Sequence, residues 1–277
     1  MEKTGIFEKS ILVVAHPDDE VLWFSSLLEH MNETVICFSE VDSRPDWSEG
    51  RRNSLTSYPL PNVTTLGLKE SETFDGADWS SPVYTDYGLE VAKAEHTSPG
   101  FSQSAYKNNY QLLKEALSPK LKKYNNVITH NPWGEYGHEE HVQVYRVVHE
   151  LQGEHGFKLW FSNYCSNKSH NLMLRYLSGF RSDYITLDTR RDLAELIERH
   201  YRKNNCWTWP FDDYSWFTHD CFIEDKKFPQ HESKPGHIFP LNYIKIDHLH
   251  ANANEPKVMS LNEKIKKIAR KLVFSPK

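Results

Sequence analysis

The decapeptide Ile11–Glu20, ILVVAHPDDE, constrains the fold of this chain more than any other stretch. Ile11 to Val14 are consecutive apolar residues, the pattern of a short strand buried on both faces. His16, Asp18 and Asp19 follow directly, ahead of an apolar-periodic segment that runs to about His30 and reads as a helix. Pro17 suits the turn before that helix or its first turn, where no backbone donor is needed. A strand ending in an imidazole and two carboxylates sets potential ligands at the C-terminal edge of a sheet. Open α/β sheets bind their ligands at that edge. Histidine with aspartate is a donor set for a borderline cation such as zinc.

The chain goes on alternating strand with helix. Thr34–Ser39 and Asn62–Leu68 are β-branched and apolar, and Trp47 to about Tyr58 between them reads as a helix that stops before Pro59. Asn126–His130 and Phe157–Tyr164 supply two more strands, with helices expected over Ala105–Leu121 and Arg190–Arg202. Such alternation specifies an α/β layered domain, Rossmann-like, with a mostly parallel sheet. No G-x-G-x-x-G follows the first strand, so a dinucleotide site is not indicated. Residues 69–103 are rich in Ser, Thr, Asp and Gly and form an insertion long enough to act as a loop or lid, with a short hairpin around Tyr84–Val91. Residues 1–250 are read as one domain and 251–277 as a basic amphipathic tail.

Composition narrows the classes of function. With 38% hydrophobic residues and a mean hydropathy of −0.68, the 277-residue chain can bury a core under a very polar surface. No apolar run approaches the roughly 20 residues that cross a bilayer. The opening MEKTGIFEKS lacks the apolar centre of a secretory signal. Cys37, Cys165, Cys206 and Cys221 show neither CxxC spacing nor a disulfide-dense pattern. A reducing cytoplasm is therefore expected, with the sequons at Asn32, Asn62 and Asn167 incidental. The net charge of −5 argues against nucleic acid as the main partner. In the tail, Lys264, Lys266, Lys267, Arg270 and Lys271 interleave with Ile265, Ile268, Leu272 and Val273. A helix of that kind either touches an anionic membrane weakly or, the plainer reading, packs its apolar stripe on the domain.

A second motif stands far downstream at Asn131–His141, NPWGEYGHEEH, directly after the strand Asn126–His130. His138 and His141 form an H-x-x-H pair at the start of a helix. His141 shares its face with Val144, Val147, Val148 and Leu151 and so points inward. With AHPDDE and this pair in order, each after a strand, the chain resembles the PIG-L/LmbE-like superfamily of metal-dependent de-N-acetylases acting on N-acetylglucosaminyl compounds. The resemblance covers roughly the first two-thirds of the chain and is specific only at the two motifs.

That resemblance implies His16, Asp19 and His141 as ligands of one divalent cation, zinc by default, with iron(II), cobalt or manganese also accommodated. Three protein ligands leave a coordination position for water. It implies Asp18 as general base, and His138 as a positive group or proton donor serving the oxyanion and the leaving amine. Glu140, where the family often has Asp, is expected to hold His138 in its cationic form. Tyr136 matches a mobile tyrosine that bonds the reacting carbonyl in some members. Two departures stand out. Ser54 and Leu55 occupy the place of a Glu that often follows an Arg by three residues, so Arg51 and Arg52 both remain candidates to bind a sugar hydroxyl or phosphate. The second motif also reads EEH rather than Pro-Asp-His.

Each residue alone has a plainer reading. Adjacent aspartates commonly cap helices, and a single inward histidine is more often part of a core. Jointly, in this arrangement, the metal reading is favoured. The aromatic stretch Asn205–Phe222 is assigned mainly to packing, with Trp209 kept as a contact for a sugar ring. The expected activity is removal of an N-acyl group, most simply acetyl, from an amino sugar or glycoconjugate. The alternatives are an amidase on another sugar-linked or metabolite amide, a metal-containing carbohydrate-binding protein without turnover, and a nucleotide-sugar glycosyltransferase. The H-x-x-H pair and the lack of a D-x-D element count against the last. Nothing in the sequence marks an oligomer interface.

Overall fold

The computed structural model describes residues 5–177, 184–209, 214–226 and 239–246. The tail at 251–277 and Phe211 of the aromatic stretch lie outside the described residues. The elements in chain order are β1 (Ser10–Val14), α1 (Asp19–Trp23), β2 (Glu33–Glu40), α2 (Pro45–Thr56) and β3 (Val63–Lys69). The hairpin β4 (Tyr84–Thr85) and β5 (Gly88–Leu89) lies inside the insertion, followed by α3 (Gln103–Leu121), β6 (Asn126–Thr129) and α4 (Glu139–His155). Then come β7 (Lys158–Ser162), β8 (Tyr164–Ser166), α5 (His170–Leu177), β9 (Tyr184–Asp188), α6 (Arg191–Lys203), β10 (His219–Glu224) and β11 (Asn242–Ile244).

The main sheet has the order β3-β2-β1-β6-β7-β10-β9. Its strands are parallel from β3 to β7, while β10 runs antiparallel to both β7 and β9. The mostly parallel α/β sheet expected from the alternation is therefore present. β1 sits between β2 and β6, with Ile11 opposite Glu33 on one side and Val127 on the other. Its apolar residues are wholly buried, each contributing about 1.5–3 kcal/mol by leaving water. Because side chains alternate along a strand, β1 feeds two cores. Ile11 and Val13 join Leu113 and Leu117 of α3 and Val144 and Val148 of α4. Leu12 and Val14 join Trp23 of α1 and Ala194 and Ile197 of α6.

The chain leaves β1 toward β2 and β3, then returns to the other side of β1 as β6. Adjacent strands whose connections diverge leave a crevice at their C-terminal ends, the usual ligand position in such sheets. His16 follows β1 there and His130 follows β6. α4 is set by local signals. The His138 imidazole accepts the Glu140 N–H as an N-cap, and Gly156 closes the helix at φ 76°.

Two expectations are corrected. The helix expected from Asp19 to His30 stops at Trp23, and only a short 3-10 turn at Leu28–His30 follows. The Ser26 N–H is drawn to the Asp220 carboxylate at 3.3 Å instead of continuing the helix. The aromatic stretch Asn205–Phe222, for which no strand is read from the sequence, ends within β10. α5, β9 and β11 were not anticipated.

Candidate metal centre

The turn after β1 is built from its own side chains. The His16 N–H donates to Asp19 Oδ2 at 2.7 Å, and the Asp19 N–H to the His16 carbonyl at 3.3 Å. Asp18, between them, has φ 103° and makes no side-chain cap bond to α1. Such a backbone costs a residue with a Cβ about 1–3 kcal/mol, and it persists where surrounding structure imposes it. Here it aims the Asp18 carboxylate at Thr208, whose N–H and hydroxyl donate to Oδ2 at 3.1 and 2.8 Å. The helix-cap explanation therefore does not account for Asp18. Burial and the neighbouring Asp19 carboxylate push the Asp18 pKa up to about 8, with Thr208 and Arg51 working against them.

Behind Asp19 stands a carboxylate absent from the sequence reading, Glu135. Its Oε2 lies 2.9 Å from His141 Nδ1 and 3.0 Å from His130 Nδ1. The Ala15 N–H donates to His130 Nε2 at 2.8 Å, so His130 presents its proton at Nδ1 to Glu135. Glu135 fixes His141 in the same sense. That leaves His141 Nε2 as a bare lone pair, buried, with no hydrogen-bond partner, 3.1 Å from Asp19 Oδ1. His16 is oriented alike: Glu140 Oε2 takes its Nε2–H at 2.7 Å, leaving Nδ1 facing Asp19 Oδ2 at 3.3 Å. Two imidazole nitrogens thus converge on one carboxylate among buried side chains. Acceptors facing acceptors are unfavourable unless a cation lies among them, and outer hydrogen bonds to the far ring nitrogens are the usual support of metal-bound histidines. His16 and His141 thus each face Asp19, a donor chemistry suited to a divalent cation.

The carboxylates around these rings also favour positive charge in the pocket. Burial opposes charge on His16, yet Glu70, Asp19 and Glu140 outweigh it and raise its pKa well above the ordinary value. Burial likewise works to raise Asp19, but His141 and His130 prevail and hold it well below the usual carboxylate range. Glu135 is lowered to about 2 by His130 and His141 against the same burial. Ligand atoms of His16, His138 and His141 lie within 4.8 Å of one another, as do those of Asp19, His130 and His141. A further group, His16, Glu70 and Glu140, lies on the Nε2 side of His16. There the buried Arg51 guanidinium already pairs with Glu70.

Several expected contacts fall elsewhere. Glu140 is bonded to His16 and Ser71 rather than to His138, so it orients a ligand. His138 Nδ1 accepts the Glu140 N–H at 3.2 Å, which leaves the proton on Nε2. Burial and the His16 and His141 rings push its pKa well below the ordinary value, which works against the cationic form that the resemblance implies. The two arginines separate. Arg51 is 2% exposed and faces the cluster, whereas Arg52 reaches outward to Glu40 at 2.5 Å. The Tyr136 ring stands 5.5 Å from His141 and 5.2 Å from Trp209. Trp209 also meets Trp23 at 5.6 Å, beside the cluster. Tyr214 and Trp216 are packing residues, donating to the carbonyls of Leu22 and Val21. The sequence reading missed Glu135, His130, Glu70, Ser71 and Thr208. His130 alone carried a signal, as the polar end of a strand.

Glu135→Gln is expected to lower affinity for the cation about 10–100-fold, because an amide in that place no longer forces both Nδ1 protons inward. Competition against a chromophoric chelator reads this directly, and an affinity within about threefold of wild type would contradict the orienting role.

Fold and cluster together define a layered α/β protein with a histidine–carboxylate centre at its strand edge. The chain belongs to the PIG-L family, described as GlcNAc-PI de-N-acetylase, whose model matches residues 11–152. It thereby falls in the LmbE-like de-N-acetylase superfamily. It is 28% identical over 161 residues to a 1D-myo-inositol 2-acetamido-2-deoxy-alpha-D-glucopyranoside deacetylase of Corynebacterium diphtheriae, covering 52% of each chain. It is 22% identical over 156 residues to an uncharacterized protein of Acanthamoeba polyphaga mimivirus, covering 55% of this chain and 62% of that one. The match thus spans about half the length of the first of these relatives and under two-thirds of the second. Among solved structures, a deacetylase of teicoplanin biosynthesis in complex with teicoplanin aligns with a TM-score of 0.43 and 12% identity, over 78% of this chain and 97% of that one.

Proposed function

We propose that this protein is a metal-dependent hydrolase that removes an N-acetyl group from an N-acetylglucosamine-type amino sugar or glycoconjugate. The observation that carries the reading is the buried His141 Nε2, without a hydrogen-bond partner, facing Asp19 Oδ1, with the Asp18 carboxylate near enough to Asp19 to be perturbed by it. A cation held by His16, Asp19 and His141, zinc by default, supplies Lewis acidity toward a carbonyl and toward water. Asp18 is free of that set and takes the proton of the attacking water. As the tetrahedral centre collapses, the same proton balances the departing nitrogen, giving carboxylate and amine. His138 donates from Nε2 to the developing oxyanion, a role that needs a neutral imidazole with its proton outward. Tyr136 and Trp209 offer aromatic faces to the sugar, and Arg51 steadies Glu70 beside His16.

Membership of the de-N-acetylase family and the acetamido sugar named for the Corynebacterium relative both support a sugar-type substrate. No helix of the described residues is long and apolar enough to cross a membrane. The test is amine release from zinc-loaded protein over N-acetylglucosamine, its inositol conjugate, a nucleotide-linked form and simple acetanilides. Release confined to the sugars is expected. Release from the anilides alone, or from none, would overturn the proposal.

A further inference from the structure

The insertion between β3 and α3 is fastened beside the cluster at three places within residues 71–79. The Ser71 N–H and hydroxyl both donate to Glu140 Oε1 at 2.6 Å. The Ala77 N–H and Trp79 Nε1 both donate to Glu139 Oε1 at 2.9 Å. Between these anchors Asp75 pairs with Lys168 Nζ, in side chains only 16% and 6% exposed. The Lys168 ammonium also lies 4.2 Å from the Phe74 ring centroid and 5.1 Å from that of Trp79. Room for the lysine comes from Gly137, at φ 95°, where a Cβ would meet the Lys168 chain at 2.8 Å.

Glu72 and Asp75, on either side of Phe74, have φ of 54° and 62°, left-handed conformations disfavoured for residues with a Cβ. Strain at two positions so close together persists only where contacts impose it: Glu72 accepts from the Ser43 N–H and from the Ser43 and Ser98 hydroxyls, and Asp75 pairs with Lys168, so both turns flanking Phe74 are fixed. The Phe74 ring lies 4.9 Å from the His138 ring and 5.8 Å from that of Tyr136. A buried ammonium enclosed by two aromatic faces and a carboxylate is an unusual investment for a surface loop, since its charge gains nothing there that water would not give. Its effect is to hold Phe74 in place.

We propose that Lys168 is a positioning residue: through its buried pair with Asp75 it clamps Phe74 against His138, and the ring so placed limits the acyl group to the size of acetyl. The inference rests on the proposed hydrolysis and names the specificity determinant of the same site. An acyl carbonyl within reach of His138 runs its chain along the Phe74 wall, where each added methylene meets the ring. A close-fitting apolar wall discriminates about 10–200-fold per methylene.

Wild type, Phe74→Ala, Lys168→Met and Lys168→Arg are compared on N-acetyl- and N-butanoylglucosamine, with amide hydrogen exchange over residues 71–79 and metal content measured on the same samples. Wild type is expected to favour acetyl by about 100-fold in kcat/KM. In Phe74→Ala and Lys168→Met the ratio falls at least tenfold while metal content holds. Lys168→Arg restores most of it, and exchange in 71–79 rises at least tenfold in Lys168→Met alone of the two lysine variants. An unchanged acyl ratio in Phe74→Ala and Lys168→Met, with wild type active, would overturn the inference. If wild type released no amine from either sugar, the proposed activity would fail separately. The exchange data would then decide the clamp, unchanged exchange in Lys168→Met overturning it.

Discussion

Asp18→Asn is expected to retain the cation and lose about 10²–10⁴ in kcat, the usual worth of a positioned general base. The substitution is nearly isosteric, and an amide oxygen still accepts from the Thr208 N–H and hydroxyl that now hold Asp18 Oδ2. The strained turn, with Asp18 at φ 103°, is therefore preserved, since Asn tolerates positive φ as readily as Asp. What disappears is the capacity to take a proton. Neither Asp19 nor Glu20 can substitute. Asp19 is enclosed by His16, His130 and His141, and Glu20 Oε1 is held by the Tyr58 and Tyr201 hydroxyls at 2.6 and 2.7 Å. Steady-state kinetics on zinc-loaded protein, with metal content determined alongside, separates the two effects. A loss below about tenfold with metal retained would show that another group is the base.

His141→Ala is expected to abolish both high-affinity metal binding and amine release. Loss of an outer-shell partner alone costs about 10–100-fold in affinity, so removal of a direct ligand costs at least the upper end of that range. It also frees Glu135 from one of its two imidazole donors and leaves a cavity between the stacked His130 and His138 rings, destabilising the fold by about 2–5 kcal/mol. Circular dichroism should show the α/β signature intact with a lowered Tm. Metal affinity within threefold of wild type in a folded variant would remove His141 from the ligand set. In Glu20→Ala a drop in Tm without loss of metal is expected, because two buried tyrosine hydroxyls and the Asp18 N–H lose their common acceptor.

The part of the site legible in the sequence is the part carried on single turns. In AHPDDE the candidate ligands and base follow a strand by two to five residues, and in GHEEH the helix period alone turns His141 inward. The parts that were not legible arise where distant segments converge. Ala15 meets His130 across the β1–β6 pair, and Thr208 reaches Asp18 from beyond α6. Glu140 shows why a role is harder to read than a position. His138 spends its Nδ1 on the N-cap of α4, so the Glu140 side chain finds His16 instead, a choice made by cap geometry that spacing does not reveal. The fold divides the same way. The parallel strands announce themselves as apolar runs, whereas β9 and β10 pair antiparallel through residues such as Thr186, His219 and Asp220 that break any such run. The end of α1 depends on Asp220, 194 residues away from Ser26.

The central claim is that one cation is held between two oriented imidazoles and Asp19. A crystal of zinc-loaded protein, with anomalous data collected on both sides of the zinc absorption edge, tests it most directly. The account predicts a single strong peak bounded by His16 Nδ1, Asp19 and His141 Nε2, with Asp18 outside the coordination sphere. A peak instead on the far side of His16, among Nε2, Glu70 and Glu140, or no peak in protein that hydrolyses substrate, would contradict it.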